Sequence, residues 1–119
     1  MATQTFKELL VWQKAHHFVL DVHRYTDTFP KTELYALASQ FKRAAISIAA
    51  NIAEGYKKTG KADKARLMNI AQGSVEEGHY CLILSHDPGY GPNSHLVNNL
   101  DEVAKMLQSY TSKILTSNF

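Results

Sequence analysis

The chain has 119 residues, a formal net charge of +2 and a hydrophobic fraction of 45%. That length reads as one domain over residues 1–119, large enough to bury one core. The mild positive charge permits nucleic-acid contact without demanding it, and the single cysteine, Cys81, excludes an internal disulfide framework and fits a reducing compartment.

The first predicted helix runs from Leu10 to Thr28. Val11, Ala15, Phe18, Val22, Tyr25 and Phe29 recur in steps of four and three, which makes a seam for one partner surface. Pro30 ends it, because the residue before proline avoids the helical region. Before this helix, Met1 to Lys7 is mostly polar and has no apolar signal-peptide core.

The second helix is expected from Glu33 to Tyr56, with Thr32 as its N-cap. Leu34, Leu37, Phe41, Ala44, Ile48 and Ile52 form its main seam. Ala38, Ala45, Ala49 and Ala53 form a second stripe, whose small side chains let another helix approach closely. A helix apolar on nearly every side is buried on more than one side. In so short a chain, this points to a central element that also meets another subunit.

The third helix is expected from Lys61 to Ser85, with Gly60 at the N-cap and Asp63 in the first turn, where negative charge suits the helix dipole. Leu67, Ile70, Ala71, Ser74, Val75, Cys81 and Leu82 are its expected inner side. Gly73 and Gly78 each cost about 1 kcal/mol relative to alanine inside a helix, which close packing or a local kink would explain. The run from Asp87 to Ser94, with Pro88 and Pro92, is a turn-rich loop. Leu96, Leu100, Val103, Leu107, Tyr110 and Ile114 mark the fourth helix. Short connectors favour antiparallel neighbours, so the expected fold is all-α, an up-down-up-down four-helix bundle. No stretch reaches the roughly 18–20 apolar residues of a membrane span, so the expected setting is the cytoplasm with no membrane contact.

A polar thread runs along the second helix through Gln40, Arg43, Ser47, Asn51 and Glu54. The third offers Asn69, Gln72, Glu76 and Glu77. An antiparallel hairpin sets Arg43 level with Glu76 or Glu77, so Arg43 is expected to pair with one of them. Arg43, Ser47, Asn51, Glu54, Glu76 and Glu77 then form a structural network that fixes register. Lys57, Lys58, Lys61, Lys64 and Arg66, interrupted by Asp63, are the expected phosphate contacts, with Lys42 and Arg43 as further candidates. A solvated hinge is the plain alternative for this charge run.

The six histidines supply no complete ligand set: Glu76-Glu77-Gly78-His79 holds one Glu-x-x-His pair without a second copy. No metal site, cofactor or catalytic residue is expected. Ser74 lacks a nucleophile-elbow context, and Gly89-Tyr90-Gly91 is too short for a nucleotide loop. Trp12, Phe18, Tyr25, Phe41 and Tyr110 lie on or beside the seams and read as core rather than base-stacking platforms.

Several stretches together carry a family pattern. They are Leu10 to His16, Phe29-Pro30-Lys31 with Glu33-Leu34-Tyr35, Arg43 to Ile48, Asn51 to Gly55, and Asn69 to Ser74. Across residues 6 to 86 the chain resembles the bacterial four-helix-bundle proteins encoded in intervening sequences of large-subunit ribosomal RNA genes. The resemblance implies a ring, typically a homopentamer. It also implies a relation to the accessory variability proteins of diversity-generating retroelements, which bind nucleic acid and a reverse transcriptase. The chain departs from the pattern at Gly78-His79, where Leu-Glu is more usual, and at Lys64, where an aromatic is common. The expected function is a non-enzymatic assembly that binds RNA or DNA, or a nucleic-acid enzyme, through repeated basic surface. The alternative is a protein-interaction scaffold with no nucleic-acid role.

Overall fold

The computed structural model describes residues 5–87 and 89–116, without the side chains of residues 33–35. A 3-10 turn at Phe6–Glu8 leads into α1, Leu10–Thr26. A 3-10 turn at Lys31–Glu33 and a π-helical turn at Leu34–Ala38 precede α2, Ser39–Lys57. Then come α3, Lys61–His86, and α4, Ser94–Thr116.

Contacts join α1 to α2, α2 to α3, α3 to α4 and α4 back to α1, so the helices stand at the corners of a square. Cross-links fix the antiparallel senses. Ser47 meets Ser74 and Gln40 meets Glu77 between α2 and α3, while His79 meets Asp101 and Gln72 meets Thr111 between α3 and α4. The fold is therefore the expected antiparallel four-helix bundle, 49 × 23 × 19 Å in extent. Its long axis suits the 26 residues of α3, which at 1.5 Å per residue span about 39 Å.

The expected seams fill the centre. Phe18, Phe41, Ile48, Ile52, Leu100 and Leu107 are fully buried, while Leu37, Tyr110 and Ile114 pack half-buried around them. Leu34, expected in the same seam, has its side chain outside the described part. Hydrocarbon surface withdrawn from water on this scale, at about 25 cal/mol per Å², is the main force holding the helices together.

Two sequence expectations change. First, Thr32 is not an N-cap; it lies inside the Lys31–Glu33 turn, and α-helical geometry starts at Ser39 after the wide turn. Second, Ile70 does not face inward but is 43% exposed, and Ser74 is half-buried. In the small-residue stripe of α2, Ala38, Ala45 and Ala49 are buried and Ala53 is half-buried. The helices α1 and α3 and the Phe6–Glu8 turn each contact α2, while Ile46 and Ala50 stay exposed on it.

The two glycines of α3 differ. A Cβ on Gly78 would stand 3.2 Å from Leu100 Cδ2, so this glycine admits α4; nothing lies within 4 Å of a Cβ on Gly73.

The loop before α4 is pinned by buried Asn93. Its side-chain amide donates to Leu82 O at 3.0 Å, and its carbonyl accepts the first bonds of α4 from Leu96 and Val97. Gly89 and Gly91 take positive φ values of 79° and 124°, a backbone region other residues rarely enter. Pro88, read above as part of this loop, lies outside the described residues.

Candidate functional site

The basic residues gather where α2 turns into α3. Lys57 closes α2, Lys58 follows it in extended conformation, and Lys61 opens α3. All three are exposed. Among the described residues none of them is in an ion pair.

The next two cations of the cluster are engaged. Lys64 Nζ turns back and donates to Tyr56 O at 2.7 Å and Gly55 O at 3.3 Å, and it sits 5.6 Å from the centre of the Tyr56 ring. These carbonyls belong to the last turn of α2, where the helix dipole is negative; the Gly55 carbonyl also accepts from Lys58 N–H. Burial withdraws water from the Lys64 ammonium and lowers its pKa. Arg66 Nε lies 3.6 Å from Asp63 Oδ1. Lys42 and Arg43 stand near the start of α2, about 21 Å or more along the axis from Lys57 at 1.5 Å per residue, so they form no single patch with the corner.

The polar thread resolves into separate pieces. The Ser47 and Ser74 hydroxyls are 2.7 Å apart, one donating to the other. Asn51 Nδ2 donates to Ser47 O at 2.8 Å and to Ser47 Oγ at 3.1 Å. Arg43 does not pair with either carboxylate. Gln40 Nε2 donates to Glu77 Oε1 at 2.7 Å, and Glu76 Oε1 lies 3.6 Å from His79 Nδ1. A glutamine one turn earlier reaches the acid first, while Arg43 points to solvent. Glu54 instead borders a groove with Phe6, Ala50, Ala53, Tyr56 and Lys57.

Sequence reasoning missed the Lys64 contact. The signal was present: a lysine one turn into a helix, after a short connection, is within reach of the preceding helix end. It also missed the tie of His79 Nε2 to Asp101 Oδ1 at 3.0 Å. Among the described residues no group of three or more His, Cys, Asp or Glu side chains could hold a metal ion. Every buried side-chain nitrogen or oxygen there has a partner. Among the described residues no helix is long and apolar enough to cross a membrane.

A second surface lies on the outside of α3. Ile70, Gly73, Glu77, Tyr80 and Leu84 step three, four, three and four, the spacing of a helix–helix seam. Tyr80 is 60% exposed there, with Ile83 beside it and Ile46 exposed on α2. The apolar surface left open therefore falls mainly on α3 rather than α2.

A family model described as 23S rRNA-intervening sequence protein matches residues 7–109. The chain is also similar to a crystal structure of a protein with unknown function from the S23 ribosomal protein family, from Bacteroides thetaiotaomicron VPI-5482. The TM-score is 0.78 at 25% identity, covering 86% of this chain and 98% of that one. No curated protein matches.

Proposed function

The chain belongs to the 23S rRNA-intervening sequence protein family, and on that premise we propose that it is a non-enzymatic, self-assembling bundle that binds nucleic acid through phosphate contacts. The observation that carries this reading is the corner formed by Lys57, Lys58 and Lys61, three exposed cations with no acidic partner among the described residues. Lysines on a loop neutralise phosphates and release counterions without reading bases. Self-assembly multiplies the effect. Each copy presents the same corner, and linked weak sites gain avidity beyond any one of them. The exposed seam of α3 is the surface through which copies would meet, and a ring of five is the number expected from the family resemblance.

A second reading rests on that same seam: a scaffold that binds another protein there and no nucleic acid. One experiment separates the two. The chain with Lys57→Glu, Lys58→Glu and Lys61→Glu is compared with the wild type for binding to a structured RNA in about 50 mM salt, where phosphate contacts are strong. The expected result is loss of binding with the native mass unchanged. Equal binding by both proteins would overturn the assignment of this corner, and no binding by the wild type would leave the scaffold.

A further inference from the structure

The corner that carries Lys57, Lys58 and Lys61 is the short connection between α2 and α3. Residues 58–60 form no regular element, and the backbone there is tied by Lys58 N–H to Gly55 O at 3.2 Å and Lys64 N–H to Gly60 O at 3.0 Å. Three long lysine side chains around this turn would lose entropy on meeting a phosphate chain, at a cost for each side chain ordered. What fixes the turn is therefore what makes it a site.

The fixing group is Lys64. Its ammonium spans the gap between the helices, donating to the Tyr56 and Gly55 carbonyls while its own backbone belongs to α3. The close approach that allows this depends on Gly55. A Cβ there would run into Met68 Cε and stand 3.3 Å from Leu67 Cβ, so the side chains of α3 pack directly on the backbone of α2 at that point. The bonds are charge-assisted and made at the negative end of a helix dipole, which favours a cation.

We propose that Lys64 is a positioning residue for the phosphate-binding corner: it ties the C-terminus of α2 to the first turn of α3, and so fixes the spacing of Lys57, Lys58 and Lys61, without itself contacting nucleic acid. This rests on the phosphate reading above and divides the basic cluster into contacts and their support.

The test uses the full chain in its assembled form and a labelled RNA hairpin as probe. Affinity is measured against salt concentration, and amide hydrogen exchange is followed over residues 56–60. Lys64→Met keeps the aliphatic stem and removes the donor. It is expected to weaken binding about threefold at each salt concentration, the scale of one helix-end interaction, with the log–log salt slope unchanged. Exchange at Lys57 and Lys58 is expected to speed up, and Lys64→Arg, which keeps donors, to restore both. The control Lys58→Met is expected to reduce the slope by about 0.9, the loss of one phosphate contact. A slope that falls equally in Lys64→Met would make Lys64 a contact and overturn the proposal. Faster exchange with unchanged affinity would reduce it to a helix cap and overturn the proposal too, as would no change in either. A wild type that binds no RNA overturns the phosphate reading itself, an outcome distinct from these three.

Discussion

Cys81 is 1% exposed on the inner face of α3. Burial first, and then the nearby Glu77 charge, push its thiol up to about 11. The thiolate is the reactive form, so at neutral pH this cysteine is inert. The expected outcome is that a thiol reagent labels it only after unfolding, and rapid labelling of the native protein would contradict the packing. The linkage has a definite sign. A raised folded-state value gives stability that is complete below the range of a free thiol and is lost as pH rises towards 11. Gly55 supplies a second test at this scale. With Met68 and Leu67 against its missing side chain, Gly55→Val is expected to destabilise the chain by about 1–3 kcal/mol, as overpacking does. Thermal unfolding reads this, and an unchanged midpoint would mean that α3 does not press on α2 there. The glycine's place near the end of α2 was legible in the sequence. The Lys64 contact beside it was not, because charge spacing along a chain does not say which way a long side chain turns.

At the scale of elements, α3 is the informative one. Its start at Lys61 and its end, at His86 instead of Ser85, could be read from Gly60 and the loop that follows. Its faces could not. Leu67, Ala71, Val75, Cys81 and Leu82 line the core, while Ile70, Tyr80, Ile83 and Leu84 stand outside. Two apolar stripes on one helix blur into one when only spacing is counted, so spacing alone assigns Ile70 to the inner side. On α2 the stripe is divided as well: Ala38, Ala45 and Ala49 are buried, while Ala50 and Ile46 are exposed. Replacing Ile70 and Tyr80 together by Glu is expected to lower the native mass while helix content by circular dichroism stays as in the wild type. An unchanged mass would show that the outer seam of α3 does not join copies.

For the whole molecule, four amphipathic stripes and short connections are enough to dictate an antiparallel square, so the architecture was readable from the sequence. The parts that were not readable depend on contacts between distant segments. The Phe6–Glu8 turn covers α2, and Asn93 pins the last loop by reaching back to Leu82. Glu77 likewise takes Gln40 as its partner instead of Arg43. The candidate site divides in the same way. The lysines were visible as a charge run, but the split into three free and two engaged cations required the fold. The proposed binding of a polyanion rests on this cationic corner and, for its avidity, on the exposed seam of α3. The most direct measurement is the salt dependence of RNA binding by the wild-type assembly of known mass. Three contacts from one corner predict a log–log slope of about −2.7 on a duplex, steeper when several copies engage. A slope near zero, or no binding at about 50 mM salt, would contradict the account.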